Sequence, residues 1–164
     1  MNESFEPPPH LDALDWRLLD HLQRDASLSN QALADKVHVS PATCLRRVRR
    51  LEEAGLIERR VALLSADRLG AGLTAIVEVT LDHQATERLD AFEARAVAEP
   101  AVQQCYRTSS GPDFVLIAHV RDMEGYHALV QRLLTSDVNV RNVKSYFSIR
   151  RAKFEPAMAL PSAR

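Results

Sequence analysis

The hydrophobic period changes partway along the chain, and that change limits the folds open to it. Over residues 11–55 apolar side chains recur at helical spacing: Leu11, Leu14, Leu18 and Leu22 follow i, i+3, i+7 and i+11. From residue 73 strict alternation appears, in Ala75, Val77, Val79 and Leu81 and again in Val143, Ser145, Phe147 and Ile149. The first pattern makes helices with one buried stripe; the second makes half-buried strands. The chain therefore reads as α+β, a helical first part followed by a mixed second part. Its 164 residues leave room for one average domain or two small ones.

Helix boundaries are written in the capping residues. Asp12 suits an N-cap for the first helix, and Ser29 suits one for a short second helix through Leu33, Ala34 and Val37. Ser40-Pro41 is a strong start signal, a capping hydroxyl followed by a ring that presets the helical φ. This third helix runs to about Ala54, where Gly55 fits the left-handed position after a helix end. Leu56-Ile57 and the run from Val61 to Leu64 read as extended. Beyond residue 73 the order of elements is β-α-β-β-α-β, the split-βαβ or ferredoxin-like arrangement.

Charge excludes a bulk polyanion trap. Lys and Arg number 21 against 22 Asp and Glu, a formal net charge of −1. A nucleic-acid role would need a local basic patch. Cys44 and Cys105 show neither a CxxC pair nor a histidine at ligand spacing, so neither a disulfide framework nor a metal site is expected. No apolar run reaches the roughly 18 residues of a membrane span, and the acidic start lacks a secretory signal, so the expected location is the cytoplasm. No GxGxxG, phosphate loop or nucleophile elbow is present; no cofactor and no catalytic residue is expected.

The local patch exists. Residues 40–50 carry four arginines and no acid. At about 100° per residue, Thr43, Arg46, Arg47 and Arg50 fall within roughly 100° of one another, while Cys44, Val48 and Leu51 fall on the opposite side. The helix is thus expected to bury one stripe and show hydroxyl and guanidinium groups on the other. Arginine can pair with guanine in the major groove or neutralise phosphate. Small residues at the helix start allow close approach, and its free N–H groups favour phosphate. Three short helices with a tight turn before Ser40 resemble a helix-turn-helix. Candidate DNA contacts are Ser29, Asn30, Ser40, Pro41, Thr43, Arg46, Arg47 and Arg50, with Arg46 and Arg47 foremost. Cys44, on the buried stripe, reads as a core residue.

These residues resemble the Lrp/AsnC, or feast/famine, transcription regulators. The likeness runs through Leu11-Asp12-Ala13-Leu14-Asp15, Leu28-Ser29-Asn30-Gln31-Ala32-Leu33-Ala34 and the long stretch from Val39-Ser40-Pro41-Ala42-Thr43-Cys44 to Gly55-Leu56-Ile57. It continues more weakly through Asp113-Phe114-Val115-Leu116 and Asp122-Met123-Glu124-Gly125-Tyr126. The resemblance implies a winged helix-turn-helix over residues 11–60 and a ferredoxin-like ligand-binding and oligomerisation domain over 73–154. A disordered tail over 1–10, a linker over 61–72 and a carboxy-terminal tail over 155–164 complete the expected division. It further implies a nucleoid-associated regulator of double-stranded DNA, working as a homodimer that assembles into tetramers or octamers, with an amino acid bound between dimers.

Positions matching the family's effector pocket are Ser109, Ser110, Gly111, Asp113, Met123, Thr135 and Phe147. Many members carry Gly-Asp-x-Asp-Tyr in this loop. Here an ungapped match sets Ser110 at the glycine and Gly111 at the first acid; Asp113 keeps the second acid and Phe114 replaces the tyrosine. Asp113 has two readings, a partner for a ligand's ammonium or a cap for its own turn. The departure leaves an alternative function open: an architectural DNA binder with little effector response. Assembly has support from the strands themselves, since Ile76 lies opposite Val77 and Val79, and Val115 and Ile117 lie opposite Leu116. Both faces of the sheet carry apolar residues, and helices cover only one.

Overall fold

Each expected helix start is observed. The computed structural model describes residues 10–65, 68–69, 72–135 and 139–160. The expected tail over 1–10 lies outside them save for His10, as do the last four residues of 155–164. Helix α1 spans Ala13–Arg24 with Asp12 as N-cap. The Asp12 carboxylate accepts from the N–H groups of Leu14 and Asp15, both at 3.0 Å, and the Asp15 carboxylate accepts from the Asp12 N–H at 3.1 Å. This reciprocal box satisfies donors that a helix start otherwise leaves unpaired. Ser29 caps α2, Asn30–Val37, and Ser40 caps α3, Pro41–Glu53. Gly55 sits at φ +70° past the end of α3, where Leu56 N–H reaches back to the Leu51 carbonyl at 3.0 Å.

The three helices bury Leu18, Leu22, Leu33, Ala34, Val37, Cys44, Val48 and Leu51 together. Burial pushes the Cys44 thiol up, as befits a core residue and not a nucleophile. Residues 58–65 lie in no helix or strand, in keeping with the extended reading, and Leu56 and Ile57 pack on the helical core.

The second part forms one antiparallel sheet. Strands β1 (Leu73–Leu81), β2 (Val102–Arg107), β3 (Phe114–Val120) and β4 (Val140–Phe147) lie in the order β2-β3-β1-β4. Helix α4, Thr86–Ala98, follows β1. Helix α5, Met123–Leu129, is capped by Asp122 and continues as a π-helical stretch over Val130–Thr135. This is the ferredoxin-like order expected. Phe92, Ala96, Tyr126, Leu129, Leu133 and Leu134 cover one face of the sheet over Val77, Val79 and Leu116, and the Phe92 and Phe114 rings sit 4.8 Å apart. Ile149, expected in the last strand, lies beyond it and is fully exposed.

Among the described residues of this unit, no helix lies on the other face. Register places Tyr106, Val115, Glu78 and Lys144 in one row across the strands, and Gln104, Ile117, Ile76 and Tyr146 in the next. Tyr106, Tyr146 and Ile76 are exposed on it.

The chain divides into two compact units, one of residues up to Leu63 together with those from Lys153, the other Leu64–Ala152. The carboxy-terminal segment, read as a tail, thus returns to the first unit. The Gln23 side chain there pairs with the Met158 backbone, donating to its carbonyl at 3.0 Å and accepting from its N–H at 2.8 Å.

Candidate nucleic-acid interface

The amino-terminal ends of α2 and α3 are tied together. The Asn30 side-chain amide donates to the Pro41 carbonyl at 2.8 Å. The Ser29 hydroxyl accepts from the Ala32 N–H at 3.2 Å, and the Ser40 hydroxyl accepts from the Thr43 N–H at 3.2 Å while donating to Thr43 Oγ1 at 2.9 Å. Between the helices, His38 adopts φ 57° and Val39 N–H bonds back to the Ala34 carbonyl at 3.1 Å, so the connection is three residues long. Ser29, Asn30, Ser40, Pro41 and Thr43 are therefore brought together. Two positive helix ends and their free N–H groups share one patch, which suits an anion.

The arginines divide. Arg46 and Arg49 are exposed and make no ion pair among the described residues. Arg47 and Arg50 lean back onto α1. Arg47 Nη1 lies 2.6 Å from Asp12 and 3.2 Å from both oxygens of Asp15, and Arg50 bonds to the same Asp15 carboxylate. The Asp15 side chain is fully buried, that of Arg47 is 22% exposed and that of Arg50 46%. The expectation of one outward rank is corrected for Arg47, which lies beside Leu51 on the helical wheel, within reach of α1; Arg46 projects away from the core, and Arg50 stays exposed while reaching Asp15. A buried carboxylate needs cationic partners, and Asp15 has them.

Two residues of the candidate interface were not singled out in the sequence. Asp15 was visible only as half of an i, i+3 acid pair at a helix start. Arg49 falls outside the predicted cluster, on the opposite flank of Arg46. The electrostatics follow the geometry. The Asp12 carboxyl is held below its ordinary value by the Asp15 backbone N–H and by Arg47, against the opposing effect of its own desolvation. Arg47 is pushed further up by its bond to Asp12. Ala42, Leu45, Arg46, Arg49 and Glu53 line an open groove along α3, to which Arg47 and Arg50 also contribute.

The candidate effector residues are less unified. Ser109, Ser110 and Gly111 share a turn with Asp113. Gly111, not Ser110, takes the positive φ, 83°, and open space surrounds it. The Asp113 carboxylate accepts from the Leu81 N–H at 2.7 Å and from the Gln84 amide at 2.8 Å. Its own N–H donates to the Val79 carbonyl at 2.9 Å. In the single chain the Asp113 carboxylate does not cap its own turn, as one of the two readings had it, but ties that turn to the end of β1 and to Gln84. Met123 and Thr135 begin and end the α5–π segment, on the order of 18 Å apart at 1.5 Å rise per residue, too far for one amino acid to touch both. Phe147 packs edge-on to Tyr126, ring centroids 4.9 Å apart. One chain does not gather these positions around a common centre.

Comparison with known proteins covers both units. Residues 11–58 match the winged helix-turn-helix DNA-binding family, and residues 74–158 match the Lrp/AsnC ligand binding domain. The leucine-responsive regulatory protein of Rhizobium meliloti (strain 1021) is 40% identical over 143 residues, 87% of this chain and 92% of that protein. The crystal structure of an AsnC family transcriptional regulator from Agrobacterium tumefaciens superposes with TM-score 0.84 at 32% identity, covering 91% of this chain and 97% of that one. A transcriptional regulator from Neisseria meningitidis, solved in complex with L-Met, gives TM-score 0.84 at 31% identity over 92% of this chain and 97% of that one.

Proposed function

The chain belongs to the Lrp/AsnC family of transcription regulators, and from that premise we propose that it binds double-stranded DNA as a homodimer with the start of α3 in the major groove. The supporting observation is the patch where the ends of α2 and α3 meet, flanked by the exposed Arg46. Arg46 reads base edges. Ser29, Asn30, Ser40, Pro41 and Thr43 set register on phosphates through helix-end N–H groups and hydroxyls. Arg47 and Arg50 support from the side of α1. Two recognition helices would read half-sites about one turn, ~34 Å, apart or a multiple of it.

Dimerisation uses the helix-free face of the sheet, where Ile76, Ile117, Tyr106 and Tyr146 need cover. Dimers assemble further into tetramers or octamers, and an amino acid binds where copies meet. The distance between Met123 and Thr135 supports a pocket completed by a second copy, and the Neisseria relative's L-Met complex supports the ligand class. The effector acts by preferring one assembly over another. The protein would work in the cytoplasm, on the nucleoid.

Selection of bound duplexes from a random pool tests the DNA reading, with light scattering in the presence of each of the twenty amino acids testing the effector. The expected result is a paired half-site motif and a change of mass or operator affinity with at least one amino acid. Enrichment of no motif, with no response to any amino acid, would favour the architectural alternative. That reading draws on Asp113, whose carboxylate already holds Leu81 and Gln84.

A further inference from the structure

We infer that Asp12 tunes the strength and salt dependence of DNA binding: its carboxylate competes with DNA phosphate for Arg47 and so holds down the sequence-independent part of the affinity. The inference rests on the reading of α3 as the DNA-contacting helix. Of the four arginines there, Arg47 and Arg50 are matched by Asp12 and Asp15 of α1, two cations against two anions. Only Arg46 and Arg49 present a full charge. A guanidinium that releases only condensed counterions on meeting phosphate adds about 0.9 to the slope of log affinity against log salt. One that must first leave a carboxylate adds less, because the phosphate replaces a partner of the same charge.

The two aspartates differ in how they hold on. Asp15 is fully buried and bonds to Arg50, Arg47 and the Asp12 N–H, so its charge is part of the packing between α1 and α3. The Asp12 side chain is 46% exposed and its oxygens divide the labour. Oδ1 caps α1 through Leu14 and Asp15, and Oδ2 takes Arg47 at 2.6 Å. The acid that caps the first helix thus also moderates the recognition helix. Every duplex, selected or mixed, offers the same phosphates, so the carboxylate lowers the sequence-independent part of binding to all of them and leaves base readout by Arg46 untouched.

Asn caps helices as well as Asp does, so Asp12→Asn removes the charge and leaves the Oδ1 acceptor. The full chain and this variant are titrated with a mixed-sequence duplex and with a duplex selected for tight binding, between about 50 and 200 mM salt. The expected result is a mixed-sequence slope steeper by up to about 0.9 per recognition helix, a further three- to fourfold change in affinity across that range. Affinity for both duplexes rises at the low-salt end, and the selected-to-mixed ratio stays near the parent's. Asp12→Ser, an uncharged cap, repeats the measurement if the Asn variant unfolds on heating earlier than the parent. An unchanged slope, or a shallower slope with weaker binding, overturns the inference, the latter by making Asp12 a positioning group. Arg46→Ala separates the two levels. If it binds both duplexes as the parent does, the reading of α3 fails; if it loses affinity while Asp12→Asn keeps the parent slope, only the competition fails.

Discussion

The two units differ in how much of their working surface one chain completes. In the first, the ends of α2 and α3 are tied by Asn30 to Pro41, both caps are made, and the arginines are sorted between α1 and the exterior. In the second, the sheet leaves Ile76, Tyr106 and Tyr146 exposed, and Met123 and Thr135 stand at opposite ends of one helical segment. The lesson is about where a substitution acts. On the proposed reading, changes on α3 should alter DNA contact chain by chain, whereas changes on the open sheet face should act through assembly.

The largest expected effect confirms or breaks the independence of the two units. Phe92 is fully buried against Phe114, and Phe92→Ala should cost about 3–5 kcal/mol of second-unit stability. Urea unfolding followed by hydrogen exchange should show loss of protection in β1 and β3 with α1–α3 unchanged. Equal loss in both would show the units unfold as one.

Arg47→Ala comes next. It leaves the buried Asp15 with Arg50 alone, and should lower first-unit stability by about 1–3 kcal/mol as well as weaken DNA binding. Thermal unfolding at parent level would mean that Arg47 has no part in joining α3 to α1. On the sheet face, Ile76→Lys places a charge in the expected dimer surface without touching the core. Sedimentation should show dimer dissociation eased roughly tenfold, about 1.4 kcal/mol. Unchanged mass would move the interface elsewhere.

Acid gives the smallest effect and sharpens the comparison. Among the described residues, four carboxylates are held below their ordinary values: Asp12 by the Asp15 backbone and Arg47, Asp20 by Arg24, Asp25 by Ser27, and Glu99 by Arg132. A carboxylate lowered in the folded state contributes stability that is complete above its unfolded value and lost as pH falls through the folded one. Three of these four lie on the first unit. Melting curves taken from neutral pH to below about pH 4 should therefore show α1–α3 loosening more than the sheet.

What could be read in advance was local. Asp12, Ser29, Ser40-Pro41 and Gly55 announce helix ends because capping depends on residues a few positions apart. The alternation through Val77 and Val79 announces a strand for the same reason. The Asp15–Arg47 and Asp15–Arg50 pairs span more than thirty positions, so no local pattern carries them. Likewise, the return of Met158 to Gln23 depends on a polar side chain meeting a distant backbone. The π-helical turn at Val130–Thr135 was hidden because Leu129, Val130 and Leu133 suit an ordinary helix equally well. Asp113 was half legible: the turn was expected, but its hold on Leu81 required the strand register.

The claim that α3 meets DNA through Arg46, with Arg47 and Arg50 leaning on α1, is tested most directly by the affinity of Arg46→Ala for a selected duplex. The account predicts a loss of about 1–3 kcal/mol in binding, with a melting curve that overlays the parent's. Binding as tight as the parent's would contradict it.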